Sequence, residues 1–176
     1  MQSKSQQHAG TADPLRQIAQ CHEKIAGHLE RLDAIAAAEH EVGSEMRDRL
    51  DAIVRWFESN GLRHRHDEDE SLFPRLVPAA AASPTLADAL RTLRADHAEE
   101  DALVDRLAHA ARVLAEDPVR GAGMVRAAAR DVVAHFRRHM DVEEGVVLPA
   151  AGALGADALA AIGTEMERRR TEGACS

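Results

Sequence analysis

The chain has no tyrosine, and among its 176 residues stand only one tryptophan and three phenylalanines. A mechanism built on a tyrosyl radical or a tyrosine general acid is thereby excluded. Cysteine is nearly as scarce. Cys21 and Cys175 stand far apart and form no Cys-x-x-Cys spacing, so there is neither a thiolate zinc motif nor a disulfide framework. No apolar run approaches the roughly 18–20 residues that a membrane span requires. Positive charge is also in deficit, 22 Lys and Arg against 30 Asp and Glu, a net charge of −8. The short basic runs, Arg63 with Arg65 and Arg168 to Arg170, are interrupted or lie near the end of the chain, so nucleic acid is not an expected partner. Met1 to Thr11 is polar, with no apolar core of a signal peptide. Residues 1–12 therefore read as a disordered leader in a cytoplasmic protein.

What is abundant is helix-forming residues in helical register. With 45% hydrophobic and 30% charged residues, the composition is that of one folded domain. Asp13-Pro14, Ser83-Pro84 and Asp117-Pro118 each place a capping oxygen before a proline at the first helical position. Gly43-Ser44 marks a fourth start. One stripe runs Leu15, Ile18, His22, Ile25, Leu29, Leu32, Ala36, and another Leu90, Leu93, His97, Glu100, Val104, Leu107, Ala111, Leu114. Steps of three and four put each set on one helix face. Helix two is expected over about 43 to 72, with a break or kink at Gly61, and helix four over about 118 to 147, stopping before Pro149. The expected fold is all-α: an up-down antiparallel four-helix bundle over 13–152, then a short helix from Ala156 to Arg170 and a loose tail within 153–176.

Compared with itself at an offset of 75 residues, the chain repeats. His22 falls on His97, His64 on His139, Glu68 on Glu143 and Pro74 on Pro149, and the apolar stripe keeps register, as when Leu15 falls on Leu90. Two pseudo-repeats, about 13–78 and 88–152, imply two helix pairs about a pseudo-twofold axis.

The two repeats carry a His-x-x-x-Glu pair at matching positions, His64 with Glu68 and His139 with Glu143, one turn apart on a face. Helix rise tests whether these meet the other two histidines. His22 and His64 lie about 28 and 34 Å from the turn near Glu41, and His97 and His139 about 30 and 33 Å from Asp117, at 1.5 Å per residue. All four therefore reach one level of the bundle. An apolar core does not desolvate four imidazoles and two carboxylates without something binding them. The set points to a dinuclear metal site, its nitrogen and oxygen donors suiting iron best, with zinc or manganese compatible by ligand type.

No histidine has a glutamate three positions before it, which excludes the ferritin-like Glu-x-x-His signature. Instead "CHEKIAGHLERL" around His22, "HRHDEDESLFPRL" from His64, "DHAEEDALVDRL" around His97 and "HMDVEEGVVLP" from His139 resemble the hemerythrin-like, or HHE cation-binding, family over about 13–152. The resemblance implies two iron ions with an oxo or hydroxo bridge, His22, His64, His97 and His139 as terminal ligands, and Glu68 and Glu143 as bridges. It also implies a small ligand, O2, peroxide or NO, bound or reduced in sensing, detoxification or iron handling. The competing class is a regulatory module ordered by metal, without turnover; a third reading is a bundle with a degenerate site holding one zinc or none.

Several neighbours stay open. His66 and Glu70 repeat the His-x-x-x-Glu form two residues on, but map onto Asp141 and Gly145, so they read as a solvated patch or as alternative or outer ligands. His135 reads as a fifth ligand, an outer donor or a core histidine. Glu100 reads as a proton relay, an outer partner or a partly exposed helix carboxylate, and Cys21 as a redox sensor or a packing residue. His8, His28, His40 and His109 follow no pattern.

Overall fold

A computed structural model describes residues 13–38 and 44–172. The expected leader, the turn near Glu41, His8, His40 and Cys175 lie outside them. Among the described residues there is no strand. Helix α1 spans Pro14–Ala37. Helix α2 is composite: Ser44–Trp56, a π turn Phe57–Gly61, then Leu62–Asp67, a second π turn Glu68–Leu72, and Phe73–Ala80. Helix α3 spans Pro84–Glu116. Helix α4 runs Pro118–Val142, a π turn Glu143–Val147, and Leu148–Ala151. Helix α5 spans Ala156–Glu172. The chain forms the expected helical bundle, with α3 packed on α4, α4 on α1 and α2 on α3. No helix among the described residues is long and apolar enough to cross a membrane.

The three proline starts are capped as their sequences demand. Asp13 accepts from the Leu15 N–H, Ser83 from Leu86 and Asp117 from Arg120, each satisfying a backbone donor with no partner inside the helix.

At Gly61, where a break or kink was expected, α2 passes through a π turn. Two helix boundaries differ from expectation, for one reason: α2 does not end near 72 and α4 does not stop before Pro149. Each passes through a further π turn instead. In these turns the N–H groups of Phe73 and Leu148 bond the carbonyls of Glu68 and Glu143, five residues back. Pro74 and Pro149 come next. A proline ring strikes the carbonyl four residues before it in a regular helix, and the wider turn carries that carbonyl aside. The helix continues, and each turn begins at the glutamate of a His-x-x-x-Glu pair. Turns of this kind occur often at functional sites.

Two apolar clusters fill the bundle, one at each end. The first gathers Ile25, Leu29, Leu32, Leu50, Phe57, Leu107 and Val132, and the second Ile18, Leu72, Phe73, Leu76, Leu93 and Val147. Ile162 and Met166 of α5 close the second cluster. The polar layer lies between them.

Two glycines test this packing. A Cβ on Gly121 would sit 2.2 Å from the Leu114 Cα, against backbone, where α3 turns into α4. A Cβ on Gly27 would meet nothing within 4 Å. Urea denaturation should find Gly121→Ala destabilised by about 1–3 kcal/mol, from overpacking. Gly27→Ala should be stabilised by up to about 1 kcal/mol, from helix propensity.

Candidate metal centre

His22 on α1, His64 and Glu68 on α2, His97 on α3, and His139 and Glu143 on α4 are all buried, both glutamates completely. The histidines form two pairs, one from each repeat. The rings of His22 and His64 lie 5.0 Å apart between centroids, as do those of His97 and His139. The carboxylates stand between the pairs. Glu68 directs Oε1 to His64 Nε2 at 2.8 Å and Oε2 to His97 Nε2 at 3.1 Å. Glu143 Oε2 lies 3.1 Å from His22 Nε2 and 3.7 Å from His139 Nε2. Each glutamate thus touches one histidine of its own repeat and one of the other.

These atoms are close but poorly used as hydrogen bonds. His22 Nε2, His64 Nε2 and all four carboxylate oxygens of Glu68 and Glu143 are buried without a hydrogen-bond partner. Native interiors rarely leave such atoms unpaired, because each costs about 1–3 kcal/mol. Donor atoms of His22, His64, Glu68 and Glu143 fall within 4.8 Å of one another, and those of Glu68, His97 and His139 form a second such group sharing Glu68. Nitrogen and oxygen donors converging on common points have the chemistry of cation ligands.

Protons can occupy the layer only in part. Burial, the largest influence on His97, pushes its pKa down, but Asp69 and Glu68 outweigh it and raise it to about 10. His64 is raised well above the usual imidazole range, burial again opposing and the Glu68 carboxylate prevailing. Glu68 stays ionised despite burial, held well below the usual range by His64 and His97. Glu143 is pushed up to about 7 by burial and by the charge of Glu68. His139 is lowered by burial. One carboxylate therefore stays ionised while the other tends to hold a proton, as expected for two acids sharing a small volume.

The outward nitrogens show residues that the sequence reading missed. His97 Nδ1 lies 2.9 Å from Asp69 Oδ2, and His22 Nδ1 lies 2.9 Å from Glu144 Oε1. Such partners orient an imidazole ligand and raise its basicity. Asp69 and Glu144 each follow the glutamate of a His-x-x-x-Glu pair, 75 residues apart, so the repeat already contained them. Each holds the histidine of the other repeat.

The open neighbours divide. His66 and Glu70 are exposed, and Glu70 pairs with Arg169. His135 and Glu100 are buried, His135 Nε2 and His139 Nδ1 each lying 3.9 Å from Glu100 Oε1. Cys21 is half-buried and lines a cavity together with His64. His28 packs on Trp56, away from the layer.

A buried layer of paired histidines and carboxylates inside a helical bundle defines the class: a metal-binding bundle protein. The chain belongs to the hemerythrin HHE cation-binding domain family, whose profile matches residues 13–151. No curated protein matches it. Its buried His and Glu groups fit a metal site.

Helix α5 secures one side of the layer. Asp67, beside Glu68 and nearly inaccessible, receives Arg169 Nε at 2.8 Å on Oδ1 and Arg170 Nη2 at 3.0 Å on Oδ2. Arg169 also bonds Ser71. Removing both guanidinium groups strands a buried carboxylate. The double variant Arg169→Ala/Arg170→Ala should lose about 3–5 kcal/mol in denaturant unfolding. Adding Asp67→Asn should recover part of that loss, because the stranded charge is gone.

Proposed function

We propose that the protein is a cytoplasmic non-heme di-iron protein that binds or reacts with O2, peroxide or NO, in sensing, detoxification or iron handling. His22 and His64 would hold one iron, His97 and His139 the other, with Glu68 and Glu143 as bridges. The observation that carries this reading is Glu68, whose two oxygens face histidines of different repeats. A carboxylate so placed suits two cations better than one. When bound, the iron pair supplies redox chemistry toward a small oxidant, and the set without thiolate suits iron.

The chain's own residues supply the rest. Asp69 and Glu144 orient the rings of His97 and His22. Phe73 stacks on His97 at 5.7 Å, and the two apolar clusters limit water above and below the layer. A cavity of about 350 Å³, lined by Phe57, Gly61, Leu62, Glu100 and Phe136 among others, brings the surface to Glu100 beside His139. It has room for a diatomic molecule. Glu100 lines it and is the proposed proton relay.

Protein purified after growth with iron should contain about two irons per chain and show near-ultraviolet charge-transfer absorption. Glu68→Ala should lose at least one iron, whereas exposed Glu70→Ala should keep both. His64→Ala should likewise be far more damaging than His66→Ala. A metal-replete preparation with a single zinc would sink the di-iron reading. Free metal at 100 times its dissociation constant should raise unfolding stability by about 2.7 kcal/mol. An unchanged melting temperature after chelation under reducing conditions would mean that the six side chains satisfy one another.

A further inference from the structure

The repeat relates the surroundings of the two histidine pairs, and they are not alike. At the 75-residue offset Cys21 maps onto Asp96 and Ile25 onto Glu100. Cys21 lines a cavity together with His64, whose pKa its side chain helps to raise. Its counterpart Asp96 stands at the corresponding ring, Oδ2 lying 3.6 Å from His139 Nδ1. Both of those atoms are buried, and neither has a hydrogen-bond partner. Glu100 Oε1 approaches the same nitrogen at 3.9 Å, whereas Ile25 belongs to an apolar cluster. The second pair thus has two buried carboxylates where the first has a thiol and an alkyl chain. Two positive groups stand nearby: Arg65 donates to the His97 carbonyl at 2.9 Å and pairs with Asp101, and Arg138 donates to Asp96 Oδ1 at 3.2 Å and approaches His135 Nδ1 at 3.3 Å. Arg138 engages the oxygen that does not face His139. The outer carboxylates lean the same way, Asp69 on His97 being 33% exposed and Glu144 on His22 56%.

Resting on the metal-site reading above, we propose that the two cation positions are inequivalent. The His97–His139 position binds a divalent cation first and more tightly, and Cys21 with Ile25 against Asp96 with Glu100 sets the difference. The physical basis is twofold. A carboxylate behind an imidazole makes it a better donor than a thiol does. Buried negative charge also attracts a divalent ion far more strongly than exposed charge, which water screens. Asp96, Glu100 and Cys21 are positioning residues that act through His139 and His64.

The test is anaerobic titration of the full-length apoprotein with Co(II), followed by calorimetry and by visible absorption, neither of which depends on turnover. Two steps are expected, differing by about 10- to 100-fold in affinity, the range over which outer partners alter metal binding. His97→Ala should abolish the tight step, and His22→Ala should remove the weak step and keep the tight one. Cys21→Asp should strengthen the weak step and Asp96→Asn weaken the tight one, so each narrows the gap from its own side. Two equal steps, a tight step that survives His97→Ala but not His22→Ala, or a gap unchanged in both Cys21→Asp and Asp96→Asn would overturn the inequivalence while leaving the metal site standing. An apoprotein that takes up no Co(II) would overturn the metal-site reading and this inference together.

Discussion

Everything in this bundle is arranged around the cost of burying four imidazoles and two carboxylates in one layer. Apolar clusters above and below exclude the water that would solvate them, and seven of their polar atoms have no hydrogen-bond partner. Desolvation of that size is tolerable only when opposite charge lies within the layer. Protons meet part of the need, which is why Glu143 is raised to about 7 while Glu68 remains ionised. Two cations would meet all of it. The chain belongs to a cation-binding family.

The duplication makes the layer possible. Each half supplies two histidines, one inner glutamate and one outer carboxylate, and its carboxylates reach across to the other half. The halves are therefore interlocked by their charges as well as by their apolar faces. Departures from symmetry are where the halves acquire separate properties. Asp67 with its two arginines exists only in the first, and Asp96, Glu100 and His135 surround only the second.

Much of this was legible in the sequence because both signals are periodic. Alternating steps of three and four identify the helices, and the 75-residue offset selects His64 and Glu68, now buried, over His66 and Glu70, now exposed. What escaped is set by tertiary geometry. Pro149 looks like a stop because a regular turn cannot hold it, yet a wider turn carries the helix on to Ala151. Gly61 signals a break or kink, and the irregularity there is a π turn through which the helix continues. The grip of α5 on Asp67 joins residues about 100 positions apart, with no local pattern to announce it. Asp69 and Glu144 were visible at the offset, but adjacency to a buried glutamate on the same helix suggests a different face. They reach the layer through histidines of the opposite repeat.

The central claim is that the layer is a binding site for two metals rather than a self-satisfied polar network. Anomalous diffraction at the iron edge from crystals of iron-loaded protein tests it most directly. Two peaks are predicted, one against His22 and His64 and the other against His97 and His139, with Glu68 and Glu143 between them. No peak in the layer, with the six side chains bonded only to one another, would contradict it.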